Sequence, residues 1–221
     1  MYGFYHTFNF ITGYDAANPS VRSMEWRLIV LESLAGVPGF VAAGFRHFKS
    51  LRSLSRDYGW IPTLLEEAEN ERMHLLVCLT MFKASPLTRI LVLATQVTMT
   101  PLLMSMYIYD PKSLHRFVGY LEETACHTYV NVIKKVETPG THLHEGWGPL
   151  PAPDMAIGYW RLPQEAKWVD TLKCMVRYAY INAPYIYAFT HSYVFVNVRF
   201  VDGRRDPPPR CEPHLCRHEV R

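Results

Sequence analysis

What this chain has little of is charge. Asp, Glu, Lys and Arg make up 19% of its 221 residues, and the net formal charge is only +3 with ten His left out. Lys and Arg form no single stripe, which excludes a nucleic-acid binder, whereas a mild positive excess suits an anionic membrane surface. Cysteine is scarce too. Cys78, Cys126, Cys174, Cys211 and Cys216 are odd in number and mostly far apart, three of them within apolar helical text. That excludes a disulfide framework and points to a reduced compartment, with Cys126 and Cys174 read as packing residues. The opening "MYGFYHTFNF" has no basic start, no short apolar core and no Arg/Ser-rich amphipathic segment, so it reads as neither a secretory nor a transit signal. No internal repeat is visible. Between Asp170 and Asp202 there is no acidic residue at all.

What is there is apolar and helical. Hydrophobic residues reach 49% and aromatics 14%, enough for one substantial core. Helical spacing runs from Trp26 to Phe48, interrupted by Pro38, with Arg46, His47 and Lys49 favouring the far pole of that helix. After the basic connector "KSLRSLSRDYGW", Pro62 stands in the first turn of a second helix, where proline is tolerated, and Pro86 marks its end. Residues 90–109, "ILVLATQVTMTPLLMSMYIY", carry no charge and are long enough to span a bilayer. Gln96, three threonines and Pro101 in their midst predict a fully buried bundle helix instead. Residues 111–136 read as another helix, and the Pro/Gly/His-rich stretch at about 137–155 reads as an irregular, exposed loop. The next helix starts amphipathic and is uncharged from Tyr178 to Val198. Residues 201–221 form a charged, Pro-rich tail. The domain reading is therefore one helical unit over 1–200, followed by that tail.

Three helices carry carboxylates at apolar positions. Glu32 in "RLIVLESLAGVPG" follows four aliphatic residues. In "AENERMHLL", Glu71 and His74 are three residues apart and share a helix face, while Glu66, Glu67 and Glu69 spread over other faces. Glu122 in "GYLEETACHTY" follows Tyr120 and Leu121, with Tyr129 two turns on. Ionised carboxylates buried without compensation are very costly, so their convergence needs an ion, a shared proton or arginine partners. A four-helix carboxylate metal site takes a lone Glu from each of two helices and a Glu-x-x-His pair from each of the others.

"RLIVLESLAGVPG", "LRSLSRDYGWIPTLLEEAENERMHLL" and "VGYLEETACHTY" resemble the successive signatures of the alternative oxidase family, the cyanide-insensitive ubiquinol oxidases of mitochondria. The resemblance runs from about Ile11, through "ITGY", to about Trp160. It implies an all-α fold: a ferritin-like, diiron-type four-helix bundle with additional helices, monotopic on the matrix side of the mitochondrial inner membrane. It also implies a diiron-carboxylate centre that passes electrons from ubiquinol to oxygen. By motif, Glu32, Glu71, His74 and Glu122 take the metal-site positions, with Tyr129 as the redox-active tyrosine beside them. Arg27, Leu31 and Thr128 match residues that line the quinol pocket. In a half-embedded bundle the uncharged helix 90–109 need not cross the bilayer, and Arg22, Arg27, Arg46, Lys49 and Arg52 would lie near anionic headgroups.

Two departures qualify the resemblance. The family's fourth motif, R-x-D-E-x-x-H, is replaced by "KCMVRYAYINAPYIYAFTH". Anchoring on Arg177 puts Ala179 and Tyr180 where Asp and Glu belong and Ala183 where His belongs. The ungapped register puts Ala179 and Asn182 at the Glu and His positions. Pro184 would disturb the helix, and His191 stands more than three turns past Ala179. Before "ITGY", His6 and Asn9 stand roughly where the family has an Arg and an Asp that help close the quinol pocket. In the tail, Cys211, His214, Cys216 and His218 are soft ligands without a second hairpin, which favours an extended tail on a partner surface over a zinc site.

The leading expectation is therefore a catalytically inactive family member without a cofactor, acting as an accessory structural subunit of a larger inner-membrane respiratory assembly. One alternative is an active diiron ubiquinol oxidase with a rearranged site holding one or two irons. Another is a quinone- or lipid-binding module without redox chemistry.

Overall fold

The computed structural model describes residues 8–10, 12–15 and 19–176, with Glu123 described by its backbone alone. Four long helices dominate. Helix α1, Val21–Ser53, is capped by Ser20, whose Oγ accepts from the Ser23 amide, and ends where Leu54 turns left-handed. Its 33 residues run about 50 Å at the helical rise. The expected interruption at Pro38 does not occur. Pro38 removes one backbone donor, but it is buried within an unbroken helix that packs closely on its neighbour.

Helix α2, Trp60–Met81, is started by Asp57, whose Oδ2 accepts from the Ile61 amide at 2.6 Å and whose other oxygen pairs with Arg46 at 2.7 Å. Helix α3, Pro86–Tyr109, is capped by Ser85 and has Pro86 in its first turn, so Pro86 opens this helix, the previous one having ended at Met81. Asp110 ends α3 and caps α4, Pro111–Glu137. The expected loop at 137–155 is only partly irregular. It contains α5, His142–Trp147, with Leu143 and Trp147 buried, and the start of α6, Asp154–Trp160. An antiparallel bridge joins Pro151 to Lys167, and residues 168–176 are helical. Among the described residues there is no strand, so the fold is all-α.

The main core joins Met24 and Leu28 of α1, Val77 and Cys78 of α2 and Val132 of α4 to Trp147, Trp168 and Leu172. Phe82 stacks on Trp147 at 5.4 Å, and Trp168 meets both edge-on. A second cluster packs Val37, Ala42, Leu64, Leu103, Tyr107 and Leu114. Each buried leucine of this kind contributes about 1.5–3 kcal/mol.

Two expectations are corrected here. Helix α3 is not buried: only Val92, Leu103 and Tyr107 are covered, while Ile90 and Leu93 are each 61% and Val97 71% exposed. It packs along one edge only, because its apolar residues surround the helix and one neighbouring face cannot cover them all. Helices α1 and α3 are the two described helices long and apolar enough to cross a membrane, α1 being mostly buried in the bundle. Arg27, expected near headgroups, has no exposed surface because it lies on the inner face of α1.

Candidate metal centre

Glu32 on α1 and Glu71 and His74 on α2 meet in the bundle interior. Their exposures are 2%, 5% and 2%, and one ligand atom from each lies within 4.8 Å of the others. The helical spacing of Glu71 and His74 puts both on the face turned to α1. His74 Nδ1 lies 3.5 Å from Glu32 Oε2 and 3.4 Å from Glu71 Oε2. The other edge of the ring is held by Asn70, whose Nδ2 is 3.1 Å from His74 Nε2, and Trp160 packs against it at 5.7 Å. From α4, the buried Tyr129 hydroxyl donates to Glu32 Oε1.

Glu122 is buried on α4. It stands outside the tight group, yet it feels the charges of Glu71, Glu67 and Glu32. The structure thus brings Glu32, Glu71, His74 and Tyr129 into contact and places Glu122 in their electrostatic field.

The electrostatics are those of a crowded acid cluster. Burial, then the charge of Glu71, pushes Glu32 up to about 7. Burial also drives Glu71 upward, but the charge and hydrogen bonds of His74 outweigh it, so Glu71 lies below the usual carboxylate range. For His74, burial opposes the charge, yet Glu71 and Glu32 together lift it to about 10. Glu122 and the Tyr129 hydroxyl are raised well above their ordinary values, chiefly by burial.

Glu32 Oε2, fully enclosed, has no hydrogen-bond partner. An orphaned carboxylate oxygen in the interior is costly, and a cation removes that cost. Hard oxygen donors with one imidazole suit iron or manganese, so the residues fit a metal ion. The expectation of a chain without a cofactor does not account for this geometry; the iron alternative does.

The expected quinol-pocket residues also assemble. Arg27 donates from Nε and Nη2 to Thr128 Oγ1 at 3.4 and 3.3 Å, and from Nη1 to Asn9 Oδ1 at 2.8 Å and Thr12 Oγ1 at 3.2 Å. Its guanidinium lies between the Phe8 and Tyr14 rings, 4.5 and 4.0 Å from their centroids. Leu31, one turn beyond Arg27 on α1, is buried in the same core. Sequence reasoning missed Asn70, Glu67 and the aromatic sandwich. The available signal for the first two was the four-residue spacing before His74 and Glu71, which places them one turn away on the same face. His6, Arg177, Ala179, Tyr180, Asn182, Ala183, Pro184, His191 and the Cys/His tail lie outside the described residues.

Comparison with known proteins gives the family. The family model described as "Alternative oxidase" matches residues 3–178. Curated relatives named "Alternative oxidase, mitochondrial" include one from Cryptococcus neoformans var. grubii, 42% identical over 86% of this chain and 45% of the relative. Another, from Neurospora crassa, is 40% identical over 88% of this chain and 52% of the relative. A third, from Monilinia fructicola, is 46% identical over 76% and 47%. The chain spans about half the length of the curated relatives it matches. With the family model covering most of the sequence and relatives at 40–46% identity over most of this chain, the chain belongs to the alternative oxidase family.

Proposed function

We propose that this chain works as a mitochondrial ubiquinol oxidase of the diiron-carboxylate type with a rearranged centre, seated on one leaflet of the inner membrane at its matrix face. The observation that carries the reading is the buried Glu32–Glu71–His74 group beneath the Tyr129 hydroxyl. Glu32, Glu71, His74 and Glu122 would hold the metal, and bound iron would supply the oxygen-reducing electron chemistry. Arg27 and Thr128, now bonded to each other and to Asn9 and Thr12, would exchange part of this network for a quinol oxygen, with Leu31 as an apolar wall. The Tyr129 hydroxyl, kept protonated by burial and by Glu32, holds a proton against Glu32 Oε1. The exposed uncharged face of α3, with Leu93 and Val97, suits a monotopic seat in lipid, and the exposed Arg22, Lys49 and Arg52 suit its anionic headgroups.

The test is oxygen uptake by the purified, iron-loaded chain supplied with a quinol in the presence of cyanide. Uptake is expected, and Glu71→Ala should abolish it. A second reading, an inactive accessory subunit of a larger respiratory assembly, is favoured by the lack of any carboxylate between Asp170 and Asp202. It predicts no uptake from the iron-loaded chain and co-purification with a multisubunit complex.

A further inference from the structure

The reading of a rearranged centre leaves one need open. A dinuclear carboxylate site in a helical bundle draws on four carboxylates, and the stretch in which the fourth motif would stand has none before Asp202. The replacement must come from elsewhere in the chain. Glu67 lies four residues before Glu71 in the unbroken helix α2, so the two side chains project from the same face one turn apart. Unlike the exposed Glu66, Glu67 is partly buried. The charge of Glu71 reaches it, and its own charge reaches Glu122 on α4. Its carboxylate, like that of Glu122, stands outside the tight Glu32–Glu71–His74 group, and burial together with the charge of Glu71 pushes it up to about 8.

Charge balance points the same way. Glu32, Glu67, Glu71 and Glu122 are four carboxylates, and the positive group acting most strongly on them is the single imidazole of His74. Arg72, the nearest basic side chain along α2, is turned outward onto Glu69 at 2.5 Å. One shared imidazolium leaves most of this negative charge uncompensated, and uncompensated charge in the interior is neutralised by protons or by cations. Two divalent cations balance four carboxylates with His74 neutral. The orphaned, fully enclosed Oε2 of Glu32 is an independent mark of a missing cation in the same group.

We propose that Glu67 supplies the carboxylate that the fourth motif lacks, so that Glu32, Glu67, Glu71 and Glu122 together hold two divalent cations. The proposal rests on the metal-binding reading above, and its test separates the two. The full chain is stripped with chelator, titrated anaerobically with Mn2+, freed of excess, and its metal counted by elemental analysis alongside the electron paramagnetic resonance spectrum. Two ions per wild-type chain are expected, with the signal of an exchange-coupled pair. Glu67→Gln, nearly the same shape, should hold one ion and lose the coupled signal while its metal-free melting temperature is not lowered. Glu66→Gln should keep two. Glu67→Asp, which keeps the charge on a shorter stem, should bind its second ion about ten-fold more weakly, and it serves as the readout if Glu67→Gln does not fold. Two ions retained in Glu67→Gln, or one ion in wild type and Glu67→Gln alike, would overturn the role of Glu67 and leave a metal-binding protein. No ion in the wild type would overturn both readings.

Discussion

Each carboxyl in and beside the centre answers to its own neighbours, and this makes the metal-free protein sensitive to pH in a defined direction. Glu32 and Glu67 have folded values of about 7 and about 8, above the ordinary 4.5. Their contribution to stability is therefore fully present below about pH 4.5 and is lost as pH rises through 7 to 8. His74, lifted from 6.5 to about 10, contributes below about 6.5 and loses that contribution as pH rises through 10. Glu71, lowered from the usual value, runs the other way and loses its contribution only as pH falls below 4.5. The metal-free chain should thus have a lower urea midpoint at pH 9 than at pH 5. Added Mn2+ should raise the pH 9 midpoint more than the pH 5 one, because cations compete with protons for the same oxygens. A metal-free midpoint that rises steadily from pH 5 to pH 9 would contradict the assigned neighbours. Of these residues, Glu32, Glu71 and His74 were legible in the sequence because each interrupts or accompanies an apolar run. Glu67 was not, since an acidic run such as Glu66-Glu67 looks like a solvated face until the neighbouring helix is in place.

At the scale of elements, the contact between α1 and α2 is what brings Glu32 to Glu71 and His74, and small residues set its closeness. A Cβ on Gly39 would lie 2.9 Å from the Leu64 carbonyl oxygen and 3.3 Å from Ala68 Cβ, too near a backbone atom for local adjustment. Gly36 has its nearest such neighbours at 3.6 Å, an ordinary contact. Gly39→Val should therefore cost about 1–3 kcal/mol by forcing the helices apart, whereas Gly36→Ala should be neutral or stabilising by up to about 1 kcal/mol through helix propensity. Equilibrium urea unfolding of both variants decides the matter, and equal effects would contradict the packing. The helices themselves were readable from periodicity, their ends less so. Helix α1 runs five residues beyond the apolar pattern at each end because Ser20 caps it early and Leu54 closes it late. The turn that holds α5 was hidden among Pro and Gly, since the buried Leu143 and Trp147 are too few to make a period.

For the whole molecule, the consequence of this packing is an asymmetric surface, with α3 presenting Ile90, Leu93, Val97 and Ile108 outward. The wild-type chain should float with vesicles containing anionic phospholipid. The Leu93→Glu, Val97→Glu double variant should stay in the dense fraction with unchanged far-ultraviolet circular dichroism, because charge on that face cannot enter an apolar layer. Co-flotation of the double variant would show that another face carries the attachment. The sequence by itself determined the family and the helical class, and it singled out Glu32, Glu71 and His74, which the structure brings together, because carboxylates in apolar text and a Glu-x-x-His spacing are local features of the chain. Only the tertiary structure decided that α3 is exposed, that Arg27 is enclosed beside two rings, and that Glu67 couples electrostatically to Glu71 and Glu122. Burial and electrostatic coupling are set by which helix faces meet, and neither hydropathy nor spacing along one helix specifies its neighbour.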